Sequence, residues 1–151
     1  MSIHVLKLHN KTLLLYHLVC PAKFRKRVFN PIVETDLKNI CLKLGVKYEI
    51  NFLEIGTDSD HVHFLIQSIP TLSPSKVTQT IKSITAREIF KLNPDLRSFM
   101  NGNSLWTSGF YMNTISSFGN EQTIQKYVKK QGQTEYKQIY KQLCLIQKLT
   151  F

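Results

Sequence analysis

The sequence predicts an α+β chain: a four-stranded antiparallel sheet with two helices packed on one face. Three observations predict it. Short apolar or alternating segments that suit strands lie at 12–20, 46–55, 61–69 and 109–115. Two segments of helical period, 31–44 and 73–91, stand between them, one after the first strand and one after the third. The 151 residues are 42% apolar, which suits a single domain, 1–151, with a core of its own.

Each element has its own reason. "TLLLYHLVC" at 12–20 is short, rich in Leu and Val and stopped by Pro21, so it reads as a buried strand. "AKFRKRVF" follows, with Lys23, Arg25, Lys26 and Arg27 close together. That run suits a solvated loop or a phosphate-contacting edge equally well, with Phe24 and Phe29 available to stack on bases. "PIVETDLKNICLKL" at 31–44 puts Ile32, Val33, Leu37, Ile40 and Leu44 on one side of a helix, with Pro31 at its start and Gly45 just past its end. "VKYEINFLEI" at 46–55 is a strand, "GTDSD" a turn, and "HVHFLIQSI" from 61 the second strand of a hairpin. Ser73 caps a helix whose first position is Pro74. Its inward residues are Val77, Ile81, Ile84 and Ile89, while Lys76, Lys82, Arg87 and Lys91 occupy its other faces. "NPDL" ends it, and "GFYMNTI" at 109–115 is the fourth strand. Asn120 caps a further helix, "EQTIQKYVKKQ", and 134–148 is helical too. The order of the first six elements is that of a ferredoxin-like split βαβ unit, to which the C-terminal helices are additions.

Lys and Arg outnumber Asp and Glu by 20 to 10, and the charge sits on the domain itself, without a low-complexity tail. A polyanion, with nucleic acid as the default, is the expected partner. The N-terminal stretch lacks a signal-peptide layout and no apolar run is long enough for a bilayer, so a cytoplasmic protein is expected, with no membrane partner. Cys20, Cys41 and Cys144 fit neither a disulfide framework nor a CxxC metal site, and are expected as reduced, packed thiols.

"TDSDHVHFLIQ" at 57–67 carries two of the five histidines. Strand alternation puts His61, His63, Leu65 and Gln67 on one face and Val62, Phe64 and Ile66 on the other. The apolar set belongs under the helices, so the imidazoles are expected on the opposite, open face near the turn. Two imidazoles there suit one divalent ion, although half-exposed strand histidines can fall in step by chance. Other HxH patterns fail at their next position. A histidine-triad hydrolase needs a third histidine where Leu65 stands. A metallo-β-lactamase type site needs Asp-His at Leu65 and Ile66. A cupin needs a Glu where Gln67 and Ser68 stand.

Tyr127 and Gln131 are four residues apart and share one helix face, with Lys126, Lys129 and Lys130 nearby. A free phenol, with a pKa near ~10, is a poor nucleophile. Near a metal and several cations its oxyanion is stabilised and can attack phosphorus. The Gln131 amide oxygen suits a neutral third ligand. Tyr127 also suits a core-covering position, and Gln131 plain surface.

"YHLVCPAKFRKRVF" at 16–29, "TDSDHVHFLIQ" at 57–67, "LWTSGFYMNTI" at 105–115 and "YVKKQ" at 127–131 together resemble the small single-tyrosine transposases of the HUH class, insertion sequence 200/605 type. The resemblance spans almost the whole chain. It implies that His61, His63 and Gln131 hold Mg²⁺ or Mn²⁺. It implies that Tyr127 attacks single-stranded DNA beside a hairpin, forming a 5′-phosphotyrosine bond that a 3′-hydroxyl later breaks to rejoin the strands. It also implies a homodimer whose tyrosine helix can complete the partner's active site; Gly119 in "SSFGN", just before that helix, would give it freedom to swing. Lys23, Arg25, Lys26, Arg27, Lys82 and Arg87 are then candidate phosphate contacts, and Trp106 could stack on bases or belong to the core. The alternative is a non-catalytic DNA-hairpin-binding relative.

Overall fold

The computed structural model describes residues 4–102 and 104–115. Within them the chain runs β1 (Val5–Lys7), β2 (Asn10–Thr12), β3 (Leu14–Pro21), α1 (Pro31–Tyr48), β4 (Asn51–Thr57), β5 (His61–Ser68), α2 (Pro74–Leu92), α3 (Pro94–Phe99) and β6 (Tyr111–Thr114). Four strands form an antiparallel sheet in the order β4-β5-β3-β6, and β1 pairs with β2 in a separate hairpin. The expected α+β fold is the one observed: β3-α1-β4-β5-α2-β6 is the split βαβ unit, with its helices on one face of the sheet. The β1–β2 hairpin and α3 were not foreseen.

The core lies between that sheet face and the helices. Val62, Phe64 and Ile66 of β5 are fully buried there, with Val33, Leu37, Cys41 and Leu44 of α1 and Val77, Ile81 and Ile89 of α2. Asn30 and Ser73 cap the two long helices, accepting hydrogen bonds from the Val33 and Lys76 amides, and a proline follows each cap. Phe29 stacks on Trp106 at 5.2 Å between centroids, and the indole N–H donates to Thr85 Oγ1 at 3.0 Å. Both aromatic residues are thus core, which withdraws them from base stacking. Cys20 and Cys41 are buried free thiols, and burial pushes Cys20 up to about 12. Cys144 lies outside the described residues. None of the described helices is long and apolar enough to cross a membrane.

Two boundaries differ from expectation for one reason. The sequence pattern places Gly45 just past the end of the first helix and a strand at 46–55. The helix instead runs to Tyr48 and stops at Glu49, whose backbone is left-handed (φ 56°, ψ 39°) and whose N–H returns to the Gly45 carbonyl. Gly45 serves close packing: a Cβ there would stand 2.5 Å from the Ile50 carbonyl oxygen and 3.4 Å from the Phe52 ring. The chain can reverse tightly from α1 into β4 because no side chain intervenes.

Candidate active site

Cross-strand pairing places Val19 of β3 between His63 of β5 and Tyr111 of β6. Directly paired residues share a sheet face, so His61, His63, Tyr111 and Asn113 lie together on the face away from the helices. His17, paired with both Leu65 and Asn113, joins them. The face is not open, as expected from the sequence, but largely buried: His63 is 7% exposed, and His17, Leu65 and Gln67 less. Alternation identified the face correctly. The solvent exposure of a sheet face depends on what lies over it, which alternation does not encode. The His17 and His63 rings stand 5.6 Å apart. Burial, then the nearby His63, holds His17 well below the usual imidazole range, so it packs as a neutral ring.

One residue reaches this face through an irregularity. Phe52 pairs with Ile66 on the helix side, whereas Glu54 pairs with Leu65 on the histidine side. Leu53 is therefore an extra residue, a β-bulge that flips every residue after it to the other face. Without the bulge Glu54 would point into the apolar core. With it, Glu54 and Gly56 line up with Leu65 and His63. Glu54 is buried, and its carboxyl oxygens have no hydrogen-bond partner among the described residues. Burial pushes its pKa up to about 8, against a smaller downward pull from Lys38.

The β4–β5 turn builds the rest. Asp60 Oδ1 lies 2.7 Å from His61 Nδ1, and Asp58 Oδ2 lies 3.0 Å from His61 Nε2. Hydrogen bonding to His61, supported by Arg25, holds the Asp60 carboxyl below the usual range. Arg25 Nε donates to Asp60 Oδ2 at 3.1 Å. Donor atoms of Asp58, His61 and His63 all lie within 4.8 Å of one another. This donor set fits a divalent cation. If Nδ1–H donates to Asp60, the Nε2 lone pair faces a carboxylate oxygen at 3.0 Å. Two acceptors are stable that close only with a proton or a cation between them. The sequence reading missed Asp58 and Glu54. "DSDH" put Asp58 within reach of the pair, but only the turn geometry aims it. Glu54 carries no sequence signal without knowledge of the bulge.

Beside the imidazoles is a cleft of about 540 Å³, lined by His61, His63, Arg25, Phe110 and Tyr111 among others. Its rim is bolted down by backbone hydrogen bonds from Ala22 to Asp60, Lys23 to Leu105, Phe29 to Ser59 and Thr107 to Pro21. Phe24 and Arg25 both have left-handed backbones (φ 58° and 53°) although neither is glycine, a strain of about 1–2 kcal/mol each that the surrounding bonds sustain. Phe24 stays 68% exposed.

The expected phosphate contacts divide. Arg25, Arg27 and Arg87 are exposed, Arg87 beside Glu88 at 3.4 Å, and Lys23 is half-buried. Lys26 Nζ donates to the Phe99 carbonyl at 2.8 Å. Lys82 Nζ donates to the carbonyls of Thr107, Ser108 and Gly109 at 2.7, 3.3 and 3.2 Å. These two ammonium groups fasten the end of α3 and the Thr107–Gly109 stretch. Tyr127, Gln131 and Gly119 lie outside the described residues, as do the helices expected at 121–131 and 134–148.

A ferredoxin-like sheet carrying a histidine pair with metal-ligand geometry does not by itself define an activity, and comparison with known proteins supplies the family. The family model "Transposase IS200 like" matches residues 10–131, and the chain belongs to that family. It is 29% identical over 120 residues to the ISDra2 transposase TnpA of Deinococcus radiodurans, covering 80% of this chain and 85% of that protein. It is 27% identical over 116 residues to the transposase for insertion sequence element IS200 of Salmonella typhimurium, covering 77% and 75%. The fold matches the crystal structure of a candidate transposase from Deinococcus radiodurans R1 with a TM-score of 0.68 at 24% identity, over 86% of this chain and 99% of that one. It also matches a REP-associated tyrosine transposase bound to a REP hairpin, with a TM-score of 0.51 at 12% identity, over 86% and 73%.

Proposed function

We propose that this transposase cuts and rejoins single-stranded DNA beside hairpins through a covalent bond to Tyr127, with a divalent cation at the histidine pair. The observation that carries the reading is the convergence of Asp58, His61 and His63 donor atoms within 4.8 Å, at the edge of a cleft rimmed by Arg25. Family membership supplies the transposase, and the hairpin bound by the REP-associated relative supports a hairpin partner here.

In this reading His61 and His63, with Gln131 from the C-terminal part of the chain, hold Mg²⁺ or Mn²⁺. Such a cation, when bound, draws charge from a phosphate's non-bridging oxygens and so favours attack at phosphorus. Asp60 keeps the proton on His61 Nδ1 and thereby leaves Nε2 as a ligand. Arg25, held by Asp60, sets a positive charge at the cleft rim where phosphate oxygens would lie. The Tyr127 oxygen forms a bond to phosphorus as the P–O3′ bond breaks, leaving a 5′-phosphotyrosine and a 3′-hydroxyl. A second 3′-hydroxyl reverses that exchange with a new strand, so one phosphodiester is formed for each broken and no nucleotide triphosphate is consumed. A homodimer in which the tyrosine segment serves a partner's site belongs to the same reading.

Tyr111 gives the test its control, because its phenol is the tyrosine found in the cleft among the described residues. Full-length chain is incubated with Mn²⁺ and single-stranded hairpins from the DNA flanking its coding sequence, then run on a denaturing gel. A covalent protein–DNA band is expected for the unaltered chain and for Tyr111→Phe, and none for Tyr127→Phe or in EDTA. A band lost in Tyr111→Phe and kept in Tyr127→Phe would move the nucleophile to the sheet. Hairpin binding without any band would leave a binding protein.

A further inference from the structure

A second cavity adjoins the histidine cleft, and the reaction described above gives it no role. It has a volume of about 470 Å³ and lies between α2 and the segment that leads into β6. The two cavities share Thr107 and Phe110. The partition between them is the stretch Thr107–Gly109, and the three hydrogen bonds from Lys82 hold its carbonyls in place. We propose that this cavity seats the unpaired base of a nucleotide adjacent to the scissile phosphate. The inference rests on the strand-transfer reading for its phosphate, and on the cavity's own chemistry for its base.

A nucleobase presents a flat π face, a hydrogen-bonding edge and, through its nucleotide, a negative phosphate. The cavity offers a counterpart to each. Phe110 lies on the shared wall and is 46% exposed, a large aromatic surface left in water at the junction of two cavities. Lys82 Nζ stands 5.8 Å from its ring centroid, so the ring's orientation is tied to the same lysine that fixes the partition. Gln79 and Ser83, both exposed on α2, supply donors and acceptors for a base edge. Lys23 lines the cavity too, and its ammonium suits a phosphate. Trp106 closes the interior side: it is 2% exposed and its N–H is committed to Thr85, so it forms a wall and leaves stacking to Phe110. Because the wall residues are common, a strand with one phosphate at the imidazoles brings a neighbouring nucleotide to Phe110. Stacking there would set the register of the strand, and hence which phosphate meets the nucleophile.

The test uses full-length chain with Mn²⁺ and a set of single-stranded oligonucleotides from the flanking DNA, each carrying one 2-aminopurine. Stacking quenches this base, so the unaltered chain is expected to quench one position next to the cleavage point. Phe110→Ala should abolish that quench and weaken binding about tenfold, while Phe110→Trp, which keeps a stacking surface, should retain both. Tyr127→Phe should keep the quench and lose the covalent adduct, so the two readouts are separate. If the adduct forms but no quench depends on Phe110, the base seat is overturned and strand transfer stands. If the Phe110-dependent quench is present and no adduct forms, strand transfer fails and the cavity stands as a single-strand subsite. Absence of both overturns both.

Discussion

Glu54 shows what a single residue costs when the backbone steers it. The bulge at Leu53 turns it from the apolar core to the histidine face, yet it remains buried, and burial pushes its pKa up to about 8 from an ordinary value near 4.5. The sign of the consequence follows. Below the lower value both folded and unfolded chains carry the proton, and Glu54 has no pH effect. Between the two values the unfolded chain has released the proton and the folded chain still holds it. Stability therefore falls as pH rises through this window and levels off above it. Glu54→Gln keeps the shape and removes the titration. In EDTA, urea unfolding should show the variant about equal to the parent at pH 4 and more stable by about 4–5 kcal/mol at pH 8.5. An advantage independent of pH would show that Glu54 ionises freely in the fold.

At the scale of elements, Gly45 and the two β4 boundaries show how far local pattern reaches. The strand-helix order, both helix starts and the face carrying the histidines were legible, because caps, Pro at the first helical position and alternation are local signals. The end of α1 was misread. Gly45 is a residue that ordinarily ends helices, and "VKY" has strand propensity, but tertiary packing of Ile50 and Phe52 against Gly45 outweighs both. The bulge, Asp58's aim and the burial of the histidine face were illegible for the same reason: each depends on residues far apart in sequence. A substitution separates the two roles of Gly45. If it served only as helix punctuation, Ala inside the helix would stabilise by up to ~1 kcal/mol. With a backbone oxygen 2.5 Å from the new Cβ, Gly45→Ala should instead destabilise by about 2 kcal/mol. The midpoint of urea unfolding should fall without a change in slope.

Over the whole molecule the excess of 20 basic to 10 acidic residues favours a polyanionic partner, but charge in a sequence does not say which cations are available to phosphate. The structure divides them. Lys26 and Lys82 spend their ammonium groups on backbone carbonyls, so phosphate binding there would first break bonds that hold α3 and the Thr107–Gly109 partition. Arg27 is exposed on the loop bolted to the histidine site. Each cation that neutralises a phosphate of single-stranded DNA contributes about 0.7 to the slope of log K against log salt. Titrations of a single-stranded hairpin from about 50 to 300 mM salt should therefore show Arg27→Gln lowering that slope by about 0.7. Lys26→Gln and Lys82→Gln should leave the slope close to that of the parent, even where affinity drops through displacement of the segment each lysine holds. Equal slope losses for all three variants would mean that the lysines leave their carbonyls when DNA arrives, and that the partition beside the cleft opens on binding.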